Sequence, residues 1–328
     1  MTKVICTTLS VILALVMAQP PSAGAQTFPT KPVRLICPFP AGSGPDIFMR
    51  LIAERLSKLW NESVVLEARA GGNGVPAMEA IKSAAPDGHT LGIVADAQLA
   101  VEPALQRKLS YNPQTDFAPV LGTLSTPLYI MVAAKGPYQT MRDLVADAQS
   151  ATDKVSYGAM FAGSLAHIHA AEFALLINAR MVFVPYRDVQ QMLLHVVTGD
   201  LGWTLSSIAT SASFLASGTL RPIAIADTVR SPYAPDIPTI AEAGGPAVKA
   251  KPWVGIVAPA GTPAQVIRQI NSDFRSVFAE PAIQERLPGF GFTLDLASPE
   301  EMRQLIVDDL DKYRDLVKRI GLSPPERP

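Results

Sequence analysis

An apolar run from Val33 to Pro38 ends in a glycine-rich turn, Phe39-Pro40-Ala41-Gly42-Ser43-Gly44, and beyond it the hydrophobic period changes. From Pro45 to about Leu59, Phe48, Leu51, Ile52 and Leu56 fall on one helical face, and Arg50, Glu54 and Arg55 fall on others. A second strand is expected at Ser63 to Leu66. Strand, turn, helix and strand make a βαβ unit, whose two strands run parallel. This confines the chain to the α/β class.

The same logic recurs downstream. A second glycine-rich turn, Arg69 to Gly74, leads to a short helix ending near Ala85, then to a turn at Pro86-Asp87-Gly88 and a strand at Thr90 to Ala95. Further on, Ser164 suits the N-cap of a helix, Met181 to Tyr186 reads as an apolar strand, and Asp188 suits the next N-cap, with Gly199 as that helix's stop. Leu220 to Ala226 reads as a buried strand, and Thr262-Pro263 opens a helix. Ser298-Pro299-Glu300-Glu301 is a capping box opening a last helix that runs to about Ile320, with Gly321 as its stop. The 328 residues exceed what one core of about 100–150 residues serves, so two lobes are expected. Proline-containing passages near Ser125 to Leu128 and Pro246 to Trp253 suit crossings between them.

The first residues read as a leader. Lys3, the apolar run Val11 to Ala18 and the small-residue pattern Ala23-Gly24-Ala25 describe a secretory signal peptide over 1–25 that is cut before Gln26. Export to the periplasm is the expectation. Cys6 leaves with the leader, so Cys37 is single and no intramolecular disulfide forms. Losing Lys3 moves the formal charge from -1 to -2, and no basic block occurs, which speaks against nucleic acid or an anionic membrane surface as partner.

The first turn lacks the groups that a nucleotide site needs. Ile47 stands where G-x-G-x-x-G requires its third glycine, and no Walker lysine follows. What remains is a helix N-terminus, whose free amides and dipole favour an anion, a carboxylate included. Pro45 removes one donor there, and Asp46 suits the dipole as well as it suits a ligand. Ser43 and Ser164 sit on turns, but neither lies in a G-x-S-x-G elbow. Of four histidines, His167 and His169 point to different helix faces and cannot share a metal, while His195 lies in an apolar helix and reads as packed. His167 can reach the preceding loop or serve as a surface or capping residue. Cys37 reads as a buried, inert thiol. Phe39, Phe161, Tyr186 and Trp203 can line a cleft or simply pack. Polar turns without an evident acid, base or metal favour binding over reaction, with no cofactor.

At this point "PTKPVRLICPFPAGSGPDI", "AAPDGHTL", "YNPQTDFAPV", "VPY", "LRPIAIADTVRSPYAPDIPTIAEAG" and "WVGIVAPAGTP" can be taken together. In this order, from Gln26 to about Gly321, the chain resembles the periplasmic solute-binding receptors of tripartite tricarboxylate transporters, the Bug family. The resemblance implies a type II periplasmic-binding-protein fold: two α/β lobes, 26–126 with 249–328 and 127–248, joined by two crossing segments around a ligand cleft. It implies a monomer that binds a small organic acid without catalysis and presents it to membrane transporter subunits or to a membrane sensor. The ligand loops would carry Phe39, Ala41, Gly42, Ser43, Gly44 and Asp46 on one side, and Ala159, Phe161, Gly163, Ser164 and His167 on the other, with Tyr186 and Ser206 nearby. The family's usual polar Gly-Gly-Gly and Ser-x-Gly-x-Gly patterns are replaced by Gly42-Ser43-Gly44-Pro45 and by Ala159-Met160-Phe161-Ala162-Gly163. Unpaired buried carboxylates cost several kcal/mol, so these changes point to a less polar acid, such as an aromatic or branched monocarboxylate, over citrate or an amino dicarboxylate. The competing reading is a secreted hydrolase using Ser43 or Ser164 with His167.

Overall fold

The apolar run forms strand β1 (Val33–Cys37), in which only Arg34 is exposed. A strand dry on both faces belongs inside a sheet, and in the computed structural model β2 (Val64–Ala68) and β3 (Thr90–Ala95) flank it, both parallel. The structure describes residues 28–106, 108–150 and 154–322, so the leader expected over 1–25 lies outside the described residues. Helix α1 (Gly44–Trp60) makes the crossover from β1 to β2 and buries Phe48, Ile52 and Leu56 as the periodicity predicts, but it buries Met49 as well and leaves Leu51 half-buried. Helix α2 (Val75–Lys82) leads to β3, and a π-helical turn at Ala97–Val101 continues into α3 (Glu102–Leu105).

After β4 (Phe117–Ser125) the chain enters a second sheet. Its elements are β5 (Tyr129–Ala133), α4 (Met141–Ser150), β6 (Ser156–Ala159), α5 (Leu165–Leu176), β7 (Val182–Pro185), α6 (Val189–Thr198), β8 (Trp203–Ser206), α7 (Ala212–Ala216) and β9 (Leu220–Ile225). The chain then returns through β10 (Trp253–Pro259), α8 (Ala264–Phe278), α9 (Pro281–Gln284), α10 (Leu287–Phe290), β11 (Thr293–Leu294) and α11 (Pro299–Arg319).

The sheets have the orders β11-β4-β10-β3-β1-β2 and β7-β6-β8-β5-β9. Neither is purely parallel. In the first, β10 runs antiparallel to both β3 and β4; in the second, β5 runs antiparallel to both β8 and β9. Each reversal is a strand by which the chain enters or re-enters a sheet, so it follows from two crossings and not from any local pattern. The βαβ logic holds only for the strands that helices connect.

Each sheet has a reversal of strand order. In the first, β1 lies between β2 and β3; in the second, β6 lies between β7 and β8. Helices leaving β1 and β6 therefore go to one side while the neighbouring connection goes to the other, which opens a crevice beyond the carboxyl ends of the strands. The turns after β1 and after β6 border these two crevices.

Helix α11 packs on the first sheet's side against β4 and α3 and also touches α5. Its capping box is complete: the Ser298 hydroxyl accepts from the Glu301 amide at 3.2 Å, and the Glu301 carboxylate accepts from the Ser298 amide at 2.7 Å. Met302, Ile306, Leu310, Tyr313 and Val317 then pack into one core with Ile168 of α5, which is fully buried there. Burying an isoleucine contributes about 1.5–3 kcal/mol, so the contact of α5 with the first sheet's core is substantial.

Candidate ligand cleft

The turn after β1 is held from within. Gly42 has φ 82°, and a Cβ there would meet nothing within 4 Å, so glycine is needed for backbone conformation and not for space. The Gly42 amide donates to Asp46 Oδ2 at 2.9 Å, and Arg50 donates to both Asp46 oxygens at 3.0 Å. Asp46 is 1% exposed. Burial pushes its carboxyl pKa up, but the hydrogen bonds from Arg50 and Gly42 and the Arg50 charge outweigh that and hold it below the usual carboxylate value. Asp46 thus braces the turn. Ser43 occupies the N-cap of α1 with extended backbone, yet its hydroxyl makes no capping bond and is buried without a partner among the described residues. Pro45 sits in the first helical turn. Phe39 and Gly44 are half-buried, and Ala41 and Gly42 are exposed.

The turn after β6 is built differently. Ala159 is fully buried, Phe161 is 50% exposed, and the Ser164 amide closes a tight turn onto the Phe161 carbonyl at 3.1 Å. Gly163 has φ 88°; a Cβ there would come within 2.8 Å of Leu105 Cδ1, so this loop touches the end of α3. Its amide donates to His167 Nδ1 at 2.9 Å. Ser164 caps α5 by accepting from the His167 amide at 3.4 Å. The His167 ring lies 3.9 Å from that of Phe183 and stacks with Tyr157 at 6.1 Å. Burial lowers its pKa to about 4, so at neutral pH the ring is uncharged, with Nδ1 accepting and the hydrogen on Nε2. A hydrolytic base would need a free acceptor nitrogen, and a carboxylate to orient the ring. Here Nδ1 is occupied, and no carboxylate meets the ring among the described residues.

Two expected residues point elsewhere. The Tyr186 amide donates to the Ala159 carbonyl at 2.9 Å, beside the candidate loop, but its hydroxyl meets His195 Nδ1 at 2.9 Å and the ring packs with Met192, Leu193 and Val196. His195 is half-buried and bonded, not simply packed among apolar neighbours. Ser206 is 4% exposed and accepts from Ser211 at 3.0 Å. Trp203 is fully buried against Tyr157 and Phe173, which settles it as core. Cys37 is buried, and burial pushes its thiol pKa up to about 11, so it is inert as expected.

Sequence reasoning missed Ser125 and Thr293. They are cross-strand partners at the point where the chain leaves the first sheet, and both hydroxyls are buried without partners among the described residues. Proline at 127 marked this passage as a crossing, but nothing local marked its hydroxyls. Thr293 also lines a cavity of about 120 Å³ with Tyr129, Ile208, Tyr233 and Pro288, drawn from both sheets. A larger cavity, about 520 Å³, lies beside Tyr138, Ser156 and Gly202, where β6 and β8 begin. That is the opposite end of the second sheet from the strand-order reversal, so topology favours the turns after β1 and β6 as the site.

Among the described residues no cluster suits a metal ion, and no helix is long and apolar enough to cross a membrane. Residues 48–322 match the tripartite tricarboxylate transporter family receptor. The chain is 32% identical over 314 residues to a UPF0065 protein of Bordetella bronchiseptica, covering 96% of this chain and 92% of that one. Among solved structures, Rpa4515 of R. palustris with adipate is 28% identical with a TM-score of 0.78, covering 91% of this chain and 100% of that one. MatC (Rpa3494) from Rhodopseudomonas palustris with bound malate is 26% identical with a TM-score of 0.73, covering 88% and 100%. A fold of two mixed sheets thus aligns with those of solved solute-binding proteins over nearly the whole chain, which belongs to the tripartite tricarboxylate transporter receptor family.

Proposed function

We propose that this chain is a periplasmic receptor that closes two lobes, 26–126 with 249–328 and 127–248, over a small organic carboxylate and delivers it to the membrane subunits of a tripartite tricarboxylate-type transporter. The observation that carries this reading is the pairing of two turns, each after the strand at its sheet's switch point, with helices α1 and α5 opening directly behind them. First-turn amides have no partner inside a helix, and both N-termini carry partial positive charge. Neither 38–44 nor 159–167 contains a lysine or arginine, so the anion would be held by amides and hydroxyls, among them Ser43.

The apolar second turn sets the ligand class. Met160, Phe161 and Ala162 offer no polar side chain, and a half-exposed Phe161 supports a ligand with a hydrocarbon body. A ligand rich in carboxylates would leave charges unpaired there. The acid is therefore less polar than citrate, an aromatic or branched monocarboxylate, and adipate, the dicarboxylate bound by one structural neighbour, is the contrast case. A thermal-shift and calorimetric panel of aromatic acids, adipate, citrate, aspartate and glutamate tests this. Binding of citrate, aspartate or glutamate with none by the less polar acids overturns the ligand class. Turnover of any bound compound overturns the receptor reading.

A further inference from the structure

Helix α5 shows two faces to two different lobes. His167 faces Tyr157 and Phe183 of the second sheet, whereas Ile168 and His169 face the first lobe. His169 is 0% exposed; its Nδ1 lies 2.8 Å from Glu172 Oε2, and its Nε2 lies 3.1 Å from the hydroxyl of Tyr313 on α11. The two rings meet edge to face, with centroids 5.7 Å apart. Around this pair, Trp253 donates to Asp309 at 2.7 Å, and Lys312 donates to the Lys249 carbonyl in the segment returning to the first lobe at 2.9 Å. Nothing in the carboxylate-binding reading uses this network.

We propose that the α5–α11 contact centred on His169 is the latch that keeps the two lobes docked, and that acid releases it. Neutral imidazole satisfies the site completely: Nδ1–H donates to Glu172, and Nε2 accepts the Tyr313 O–H. A second proton, on Nε2, makes both groups donors into one contact. Tyr313 would then have to turn its hydrogen away, into a site that is 3% exposed.

The facing charges divide. Glu172 and Asp309 favour the imidazolium and Lys312 opposes it; Asp96, nearby at 1% exposure, acts on Tyr313. Burial opposes protonation most strongly, and the docked imidazole titrates below its ordinary value. The sign follows. An undocked His169 in water takes up a proton near pH 6.5, and the docked one resists. Docking is at full strength above about pH 6.5 and weakens as pH falls below it, by up to about tenfold per pH unit until the docked ring titrates too. Because α5 opens directly from Ser164, undocking also carries the turn 159–164 away from α3.

The test uses the full chain with Cys6→Ser and without ligand. Spin labels at Lys58→Cys on α1 and Gln190→Cys on α6, both exposed positions, report the distance between lobes, and Cys37 stays buried and unlabelled. At pH 7.5 one short distance is expected; at pH 5.0 a longer population appears. In His169→Phe, which keeps an aromatic ring and cannot titrate, the distribution is the same at both pH values. No change in the wild type, or an equal change in His169→Phe, overturns the proposal. Should His169→Phe fail to fold by circular dichroism, Tyr313→Phe decides. Its loss of the hydroxyl leaves Nε2 without a donor, so the longer population is expected already at pH 7.5, and a response identical to wild type at both pH values overturns the latch. No carboxylate is present, so failure here leaves the receptor reading standing, and failure of that reading does not alter this measurement.

Discussion

Gly163→Ala separates a local cost from a cost between lobes. At φ 88° the backbone is left-handed, and an L-residue there costs about 1–2 kcal/mol whether or not the lobes touch. The added Cβ would also lie 2.8 Å from Leu105 Cδ1, against about 3.5–4.0 Å for a good carbon contact. Overpacking of this kind costs about 1–3 kcal/mol. Leu105 is only half-buried at the end of α3 and can give way in part, so the lower end applies: about 1 kcal/mol, or roughly a fivefold loss of the docked arrangement. This second cost falls only on the docked state, since Leu105 and Gly163 belong to different sheets' crossovers.

Two measurements are needed. Urea unfolding reads the sum of both costs, and solution scattering or a label pair between lobes reads the docked fraction alone. In Leu105→Ala the clashing methyls are gone, so adding Gly163→Ala to it should lower stability by the left-handed cost and leave the distance between lobes as in Leu105→Ala alone. If Gly163→Ala leaves that distance unchanged in the wild-type background, or if Leu105→Ala does not relieve it, the loop and α3 are not in the contact that the geometry describes.

Asp46→Asn should destabilise the chain by about 1.5–3 kcal/mol at neutral pH, because it removes charge-assisted bonds from Arg50. Asp46 has a depressed pKa, so its stabilisation is present above about pH 3.9 and is lost as pH falls through the folded value; the variant should flatten that acid limb, and an unchanged acid titration of stability counts against the brace. Cys37 should resist maleimide in the native chain at pH 8 and react once urea unfolds it; stoichiometric labelling of folded protein contradicts its burial. Ser298→Ala should cost about 0.5–2 kcal/mol and raise amide exchange in the first turn of α11, and unaltered exchange there would show that the capping box is idle.

What could be read from the sequence was what is local. The caps at Ser164, Asp188 and Ser298 all hold, because a short polar side chain before a helix satisfies amides within its own turn. His167, one turn into its helix, does reach back to the preceding loop, through Gly163. Relations between distant segments were not legible. Tyr186 stands at a strand end in sequence, and only the packing of α6 turns its hydroxyl to His195. Ser125 and Thr293 become neighbours only because β11 adds to the edge of β4. The antiparallel course of β10 follows from the chain's return, and no hydrophobic period encodes it.

The two glycine-rich turns of the first lobe show where local likeness stops deciding. Arg69 to Gly74 looks as apt for an anion as Phe39 to Gly44, and both follow strands of the same parallel trio. β2 is the sheet's outer strand, yet its turn reaches back over the carboxyl ends of β1 and β3, against Pro38 and Gln98. Its groups also turn inward. The Asn73 carbonyl accepts from Gln98, the Asn73 amide side chain donates to buried Glu102, and a Cβ on Gly74 would press against Gln98 at 2.8 Å and Pro38 at 3.0 Å. Burial raises the Glu102 pKa, as expected of a carboxylate whose nearby partners are amides and not cations. The second turn therefore buttresses Pro38, from which the first turn springs. Two glycine-rich turns of similar shape thus differ in their hydrogen bonds: the second is satisfied from within, and the first keeps an unpartnered Ser43 hydroxyl.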